Sequence, residues 1–442
     1  MRFLGVTETC DLGSLYMRLL AEGHDVRVFV EEEGARGTMA GLVPRTEDWC
    51  SELEWVGRDG IILFEAVSEG YGALQDRLRG EGYRVVGGSA FGDRLENDRG
   101  HAQEVLAGLG LQIASVNEFE DAAAGDSFVA ARPGRYVLKF SGPDFASGDN
   151  YVGQLADGSD VRAMLAARFR ARGGKSTPYI LMDHVAGVEM GVGAYFDGER
   201  FLAPACLDWE HKRFFAGDMG ELTGEMGTVA TFDRSSRFFD LTLARIAPLL
   251  REHGHVGYVN LNTIVNEDGI WPLEFTCRFG YPGFAVLEPL QATGWGELLG
   301  AMAGRSADSF EVRPGFSVGI VLTIPPFPYT RKQVEEPVGL PIILDPALTV
   351  SDRSNLHFGE VGLEERRLVT SGLYGWTMVV TGSGPDVETA RSAAYERAGR
   401  VFVPGMRYRL DIADRLVASD YEVVAGLGLL SDARDSTSAA DK

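Results

Sequence analysis

The chain has 442 residues and a formal net charge of −22, which argues against nucleic-acid or anionic membrane partners because both bind clustered Lys and Arg. It contains no uninterrupted apolar stretch long enough to cross a bilayer, and its four cysteines lack metal-ligand spacing. We therefore expect a cytoplasmic globular protein, monomeric or homodimeric, that acts on small molecules.

Residues 1–95 predict a small doubly wound domain with a parallel sheet. Apolar or alternating runs at residues 2–6, 24–30, 60–65 and 84–87 predict strands, and helical spacing predicts helices between them. Strand–helix–strand order favours parallel pairing with right-handed crossovers. Ligands of such sheets bind beyond the strand ends, and the first such turn carries Glu8 and Asp11.

Two further regions are expected, at residues 96–312 and 313–430, followed by a disordered tail at 431–442. In the central region we predict helices at 99–109 and 236–253 and strands at 136–140, 179–183, 191–196, 200–204, 259–265 and 270–275. Turn residues at 197–198 and 266–269 predict two hairpins. In the last region the residue pattern predicts strands at 318–324 and 375–381 and a helix at 386–399. The overall class is α/β and α+β.

Two segments carry residue types suited to nucleotide chemistry. Lys139 ends an apolar strand and precedes a glycine-rich stretch that ends in Gly148-Asp149-Asn150, a combination suited to phosphate. The alternative is a strand-end lysine that points to solvent. Residues 208–227 join charges of both signs to a glycine-rich loop, which is typical of a ligand-binding loop or of a plain surface loop.

A third segment is a strand with alternating polar residues. Period-two alternation places Glu274, Thr276 and Arg278 on one face, and Cys277 and Phe279 on the other. A carboxylate, a hydroxyl and a guanidinium in line suit a magnesium–phosphate site, because Mg²⁺ prefers hard oxygen ligands and shares phosphate oxygens. The alternative is an exposed strand face with a Glu–Arg surface pair.

Together these segments resemble phosphoribosylamine–glycine ligase, a family of ATP-grasp enzymes. The family's Asp-His-Lys-Arg segment is similar to residues 210–213, and its Gly-Asp-Thr-Gly-Pro-Asn-Thr-Gly-Gly-Met-Gly loop to residues 217–227. Its Glu-Phe-Asn-Cys-Arg-Phe-Gly-Asp-Pro-Glu strand is similar to the segment that starts at Glu274. The resemblance covers roughly residues 60–415. It implies a central ATP-grasp fold, a small mixed α+β C-terminal domain, and an ADP-forming ligase that uses ATP and Mg²⁺, with Mn²⁺ as an alternative ion.

The resemblance also implies roles for individual positions. Five positions would bind ATP through its phosphates, adenine or ribose: Arg99, Lys139, Asp183, His184 and Glu189. Glu274 would bind the metal, and either Thr276 or Asn262 would complete that site. The implied catalytic residues are Arg278, Lys212 and His211. Further substrate contacts are expected at Glu65, Arg213, Thr223 and Gly224.

Departures from the family pattern bear on the substrate. The family has Gly-x-Gly-Gly-Arg-Glu-His after its first strand, whereas this chain has Glu8 and Asp11 there, and the only glycine of this turn beyond the strand is Gly13. Two carboxylates would repel a phosphate by about 1–4 kcal/mol at contact distance. The alternative is that both face solvent, or that Asp11 caps the following helix. In addition, Thr276 replaces the family's Asn, and the loop lysine of Gly-Lys-Gly is absent.

The resemblance implies an ATP-dependent carboxylate–amine ligase that forms an acyl phosphate. The acidic turn predicts a cationic or hydroxyl-bearing ligand at Glu8 and Asp11 in place of phosphoribosylamine. Two alternatives remain at this point: an ATP-grasp-like protein that binds nucleotide without turnover, and a true phosphoribosylamine–glycine ligase. The sequence names neither the acid nor the amine.

Overall fold

Four parallel strands form the N-terminal sheet of the computed structural model, which describes residues 1–65, 70–140 and 150–432. The spatial order is β2-β1-β3-β4, with bounds β1 (Arg2–Thr7), β2 (Asp25–Val30), β3 (Ile61–Phe64) and β4 (Arg84–Val86). Alternate residues pack on opposite faces of this sheet, which fits its doubly wound arrangement. The flanking helices are α1 (Gly13–Ala21), α2 (Leu53–Val56), α3 (Tyr71–Gly80) and α4 (Ala90–Asn97). The predicted N-terminal fold is confirmed.

A second four-stranded sheet follows, in the order β5-β8-β6-β7. Its strands are β5 (Val116–Phe119), β6 (Tyr136–Phe140), β7 (Tyr151–Val152) and β8 (Tyr179–Asp183). The helices of this region are α5 (Arg99–Gly108), α6 (Ala122–Ala131) and α7 (Ser159–Ala171). The aromatic residues of the sheet, including Tyr136, Phe140 and Tyr179, form a separate small core with α6 and α7. This lobe therefore has a core of its own beside the large sheet.

The large sheet has the strand order β15-β14-β9-β10-β13-β16-β21-β18 and is antiparallel throughout. Its strands are β9 (Val188–Phe196), β10 (Cys206–Glu210), β13 (Gly227–Thr231), β14 (Gly257–Asn266), β15 (Gly269–Thr276), β16 (Phe316–Thr323), β18 (Leu356–Phe358) and β21 (Trp376–Gly384). The sheet continues across residue 312, so the C-terminal strands extend the central sheet. The division at residue 312 stays a prediction.

Shorter elements complete the structure. Two-stranded sheets are formed by β11 (Arg213–Phe215) with β12 (Met219–Leu222), β17 (Ile343–Leu344) with β22 (Val401–Phe402), and β19 (Val361–Glu364) with β20 (Arg367–Thr370). The remaining α-helices are α8 (Ser236–Leu241), α9 (Ala247–Glu252), α10 (Gly283–Leu287), α11 (Trp295–Gly304), α12 (Val350–Ser354), α13 (Val387–Ala398) and α14 (Tyr421–Gly426). Among the described residues, no helix is long and apolar enough to cross a membrane.

The structure differs from three of the elements that the sequence predicts. The helix expected at 236–253 breaks at Thr242, whose backbone leaves the helical region (φ −129, ψ −95) and whose hydroxyl donates to the Phe238 carbonyl. The hairpin expected at 197–198 is present, because Phe201 pairs antiparallel with Phe196 and the Leu202 N–H donates to the Tyr195 carbonyl. The strand expected at 200–204 is reduced to isolated bridges, since Ala203 pairs instead with Ser309. Of the predicted disordered tail, Ser431 is buried and its Oγ accepts from the backbone N–H of Arg237, and residues 433–442 lie outside the described residues.

Candidate active site

Polar side chains line one face of the large sheet across four neighbouring strands. Alternation brings three residues each from β10 and β14 and two from β15 to this face: Cys206, Asp208, Glu210, Tyr258, Asn260, Asn262, Glu274 and Thr276. Strand β9, which lies between β10 and β14, has glycines at positions 191 and 193. A Cβ at Gly191 would lie 2.1 Å from Asp208 Oδ1, and one at Gly193 would lie 1.8 Å from the Tyr258 hydroxyl. The glycines therefore make room for the polar face.

Lys212 enters this face from the residues that follow β10. Its Nζ lies 2.9 Å from Glu274 Oε1, 3.2 Å from Glu189 Oε1 and 3.2 Å from Glu210 Oε2. Burial alone would lower the pKa of Lys212, but the three carboxylates outweigh burial and hold that pKa well above its ordinary value. Thr223 fixes the backbone of Lys212, because its N–H and its hydroxyl both donate to the Lys212 carbonyl. Lys212 is therefore a charged, positioned group.

Glu274 is surrounded by cations. Besides Lys212, Arg99 Nη2 approaches its Oε2 at 3.5 Å, and the nearby Lys139 adds a third positive charge. The attraction of Lys212, followed by that of Arg99, lowers the pKa of Glu274 to about 2. Burial, followed by the neighbouring Arg99, lowers the pKa of Lys139 to about 8. The three predicted phosphate and metal residues Arg99, Lys139 and Glu274 thus lie together.

The oxygens around Glu274 fit part of a magnesium shell. Asn262 pairs with Glu274 across β14 and β15, and its Nδ2 donates to Glu189 at 2.9 Å and to Glu210 at 3.2 Å. Its Oδ1 is buried with no partner in the described part of the chain, and Thr276 lines the same cavity. The described residues contain no cluster of three Asp, Glu, His or Cys side chains arranged for a metal. Glu274, Asn262 and Thr276 could supply oxygens to a Mg²⁺ ion, which in proteins also takes oxygens from phosphate and water.

A cavity of about 190 Å³ lies against this face. Arg278 lines it, and its Nη2 forms an ion pair at 3.1 Å with Glu96 Oε1 from α4. The other Glu96 carboxylate oxygen accepts from the Cys277 N–H, so one carboxylate fixes both the strand end and the guanidinium. Lys212, Gly224 and Arg278 thus border one cavity, as expected of catalytic and substrate-binding residues.

The structure does not support the predicted catalytic role of His211. Its Nε2 accepts from the Ala413 N–H at 3.2 Å, and its Nδ1 lies 3.3 Å from the Gly227 carbonyl oxygen. Burial, followed by the positive charge of Arg409, lowers the pKa of His211. The ring therefore packs against the C-terminal segment and is not among the residues that line the cavity. The His211 ring thus contacts Ala413, whereas the side chain of the next residue, Lys212, reaches the cavity.

Other predicted contacts also have internal partners. Arg213 donates through Nη1 to the Gly220 carbonyl at 2.9 Å and so braces the loop between β11 and β12. The N–H groups of Asp183 and His184 donate to the Ser115 and Arg135 carbonyls, each at 3.0 Å. These two N–H groups are therefore not available to an adenine edge. The predicted phosphate loop, except Asn150, lies outside the described residues.

The turn between β1 and α1 is held by its own hydrogen bonds. Glu65 is buried and accepts from the Leu12 N–H at 2.9 Å and from the Tyr16 hydroxyl. Asp11 accepts from the Thr9 hydroxyl at 2.7 Å and does not cap α1, which corrects that alternative. Burial, followed by the charge of Asp11, raises the pKa of Glu65 to about 7. Glu65 therefore stabilises the turn, contrary to its predicted role as a substrate contact.

Sequence reasoning missed Asp208, Glu225 and Asn260. Asp208 and Glu210 alternate on β10 in the same way as Glu274 and Thr276 on β15, so the period-two argument could have found Asp208. Glu225 lies in an irregular segment and carries no periodic signal. Asn260 reaches the cavity only because β14 lies beside β9 in the sheet.

Comparison with known proteins defines the class. The family model described as "Phosphoribosylglycinamide synthetase, ATP-grasp (A) domain" matches residues 97–284. In sequence and fold the chain is similar to ATP-grasp ligases of the ADP-forming type, which make carbon–nitrogen bonds. Within that class it is like the phosphoribosylamine–glycine ligases, as its motifs predicted.

Individual relatives support this placement. The phosphoribosylamine–glycine ligase of Neisseria meningitidis serogroup B is 26% identical over 357 residues, covering 78% of this chain and 81% of that protein. The Nostoc enzyme of the same name is 27% identical over 357 residues, with the same two coverages of 78% and 81%. The crystal structure of phosphoribosylamine–glycine ligase from Thermotoga maritima superposes with a TM-score of 0.70 at 21% identity, covering 93% of this chain and 100% of that chain. Biotin carboxylase from Campylobacter jejuni, at 11% identity and a TM-score of 0.63, covers 96% of this chain and 98% of its own and shares the fold.

Proposed function

We propose that the protein activates a small carboxylic acid as an acyl phosphate and transfers the acyl group to an amine other than phosphoribosylamine. The observation that carries the proposal is the convergence of Lys212, Arg99 and Lys139 on Glu274 at the mouth of a cavity that Arg278 also borders. Phosphoryl transfer needs positioning and charge stabilisation more than a protein nucleophile, and this cluster supplies both.

ATP is assigned to the cleft at Lys139. Lys139 and Arg99 would neutralise its phosphates, and Glu189, whose carboxylate already faces Lys212, would hold ribose hydroxyls. Because the N–H groups of Asp183 and His184 have partners, the adenine edge is assigned to the backbone of residues 185–187. Glu274, Asn262 and Thr276 would hold the metal. When bound, Mg²⁺, or Mn²⁺ in its place, would neutralise charge on the transferring phosphoryl group.

Two displacements then make up the reaction. A carboxylate oxygen of the acid, aligned by Lys212 and Arg278, forms a bond to the γ-phosphorus while the bond to the β-phosphate oxygen breaks and ADP leaves. The amine nitrogen next attacks the acyl carbon, loses a proton, and displaces inorganic phosphate. Throughout, the chain's residues orient the two substrates and stabilise negative charge, and no protein side chain becomes covalently modified.

The turn after β1 supports an amine without a phosphate group. Its backbone N–H groups at Cys10, Leu12 and Gly13 donate to the Thr7 hydroxyl, the Glu65 carboxylate and the Cys10 carbonyl. A phosphate would have to replace these bonds and face Glu8 and Asp11. The same two carboxylates suit a cationic or hydroxyl-bearing amine.

The first experiment uses hydroxylamine as a surrogate amine. With ATP, Mg²⁺ and a panel of carboxylic acids, we expect acid-dependent ADP release and an equal amount of the corresponding hydroxamate. No ADP release with any acid would contradict the ligase proposal and favour nucleotide binding without turnover. Glu274→Gln serves as the inactive control.

A second candidate, a true phosphoribosylamine–glycine ligase, is favoured by the names of the relatives. One experiment distinguishes this candidate from the proposed function. The protein is supplied with phosphoribosylamine, glycine, ATP and Mg²⁺, and glycinamide ribonucleotide is measured by mass spectrometry. We expect none above background. Efficient formation, or rescue of a purine-requiring strain that lacks its own ligase, would reject the proposed amine and establish the second candidate.

A further inference from the structure

Two carboxylates deep in the cavity lack partners for half of their oxygens. Asp208 and Glu225 are 6% and 9% exposed. Asp208 Oδ2 accepts from Asn260 Nδ2 at 2.6 Å, whereas Asp208 Oδ1 and Glu225 Oε1 have no hydrogen-bond partner in the described ranges 1–65, 70–140 and 150–432. An unsatisfied buried oxygen costs about 1–3 kcal/mol, so such atoms need an explanation.

Further side chains of other types share this property, including two from strands of the large sheet. The Thr228 hydroxyl and Asn262 Oδ1 also line the cavity, are 6% and 4% exposed by residue, and find no partner within the described part of the chain. They come from β13 and β14, on either side of Asp208 in the sheet. Four acceptor-capable groups from four segments therefore face one space, which makes the feature a built cavity rather than an acidic cluster alone.

Among the described residues, neither cation that borders the cavity forms an ion pair with Asp208 or Glu225. Lys212 makes its three contacts with Glu189, Glu210 and Glu274, and Arg278 pairs with Glu96. Burial, followed by the charge of Glu210, raises the pKa of Asp208 to about 8 and also raises that of Glu225 well above its ordinary value. The charge of Lys212 opposes both pKa shifts, but in the described part of the chain its ion pairs are made with other carboxylates, so Asp208 and Glu225 have no ion-pair partner there.

We propose that the inner part of the cavity binds a cationic nitrogen group, an ammonium or guanidinium, of the substrate acid, held between Asp208 and Glu225. This inference rests on the proposed ligase function. The group belongs to the acid because the same cavity reaches Lys212 and Arg278, where the reacting carboxylate is aligned. A nitrogen held as a cation has no lone pair for attack, so it serves recognition and not acyl acceptance.

Size and sequence sharpen the substrate class. The cavity, about 190 Å³, extends from Asp208 and Glu225 to Lys212 and Arg278. In the loop motif that residues 217–227 resemble, the position of Glu225 is a glycine, so this carboxylate is a departure from the motif. Both observations favour an amino acid whose cationic nitrogen is separated from the reacting carboxylate by a longer chain.

The test compares matched ligands on the full-length protein by isothermal titration calorimetry. With Mg²⁺ and a non-hydrolysable ATP analogue present, ω-amino acids from glycine to 6-aminohexanoate are titrated against acetate to hexanoate of the same chain lengths. We expect at least one amino acid longer than glycine to bind about tenfold or more tightly than its unaminated partner, as a charge-assisted hydrogen bond provides. Equal binding within every pair would overturn the inference without any variant.

Variants then assign the preference to the two residues. Asp208→Asn and Glu225→Gln keep size and remove charge, and each should reduce the preference about tenfold while thermal melting stays unchanged or rises. Glu221→Gln, at an exposed position on β12, is the matched control and should keep the preference. If both cavity variants still bind the amino acid more tightly than its unaminated partner, the assignment of the cation site to Asp208 and Glu225 is overturned.

The hydroxamate assay separates this inference from the proposed function. Hydroxamate formed equally from aminated and unaminated acids would reject the cation subsite and leave the ligase proposal standing. A calorimetric preference without hydroxamate from any acid would reject the ligase proposal and leave the cation subsite standing.

Discussion

Two acidic regions of this protein differ in how their oxygens are satisfied. At the turn after β1, Glu65 has both oxygens occupied by the Leu12 N–H and the Tyr16 hydroxyl, and Asp11 accepts from Thr9. On the large sheet, Asp208 and Glu225 each keep a buried oxygen without a partner among the described residues. The first arrangement is complete without a ligand, whereas the second is not. Buried carboxylates therefore indicate a site when their partners are missing, not when their number is high.

The largest expected effect is at the charged end of the sheet. Glu274→Gln removes the carboxylate that Lys212 and Arg99 surround, and with it one predicted metal ligand. We expect ADP release to fall by about 10²–10³-fold, the usual effect of removing one preorganised charge-stabilising group. A coupled assay measures ADP release, and circular dichroism checks the fold. Wild-type turnover in this variant would remove Glu274 from the site.

A smaller loss is expected from Lys139→Ala. A charge-assisted contact to phosphate contributes about 1.5–3 kcal/mol, so the dissociation constant of ATP should rise roughly 10- to 100-fold. Arg99→Ala should have a weaker effect, since Arg99 lies at 3.5 Å from Glu274 and is more exposed. Lys175→Ala, an exposed lysine in the same lobe, is the control for general charge loss. Unchanged titration curves for Lys139→Ala would contradict its assignment to ATP.

We expect the affinity for ATP to change several-fold with pH. Burial, followed by Arg99, lowers the pKa of Lys139 to about 8, so the ligand-free protein loses this positive charge as pH rises through 8. Lys212 adds to the depression, whereas Glu274 and Glu189 oppose it. ATP affinity should therefore decline between pH 7 and 9, as fluorescence titration would measure. Lys139→Arg, which stays charged in this range, should flatten the profile, and an equally steep decline would refute the cause.

The sequence predicted the cluster around Glu274 because alternation on one strand and family motifs carry that information locally. Glu274, Thr276 and Arg278 share a face by period two alone, and Lys212 and Gly224 followed from motif positions that border the same cavity. His211 failed because neighbouring residues in a motif can face opposite sides. Asp208 could have been found by the same alternation on β10, but Asn260 required knowledge that β14 lies beside β9, whose Gly193 leaves room for it. The order of strands in the folded sheet supplies this information, and the local sequence pattern does not.

The smallest effect on catalysis is expected at Glu65, and it separates the two acidic regions most clearly. Glu65→Ala leaves the buried Leu12 N–H without its acceptor, which should destabilise the fold by about 1–3 kcal/mol. The folded-state pKa of Glu65, about 7, lies above its ordinary value of 4.5, so the folded state holds the proton more tightly. The stability that Glu65 contributes is therefore largest below pH 4.5 and declines as pH rises through 7. Urea unfolding at pH 5 and pH 8 should show a larger loss at pH 5, while kcat and the KM for the amine stay within twofold of wild type. A large rise in that KM with unchanged stability would make Glu65 a substrate contact and would remove the distinction between the two regions.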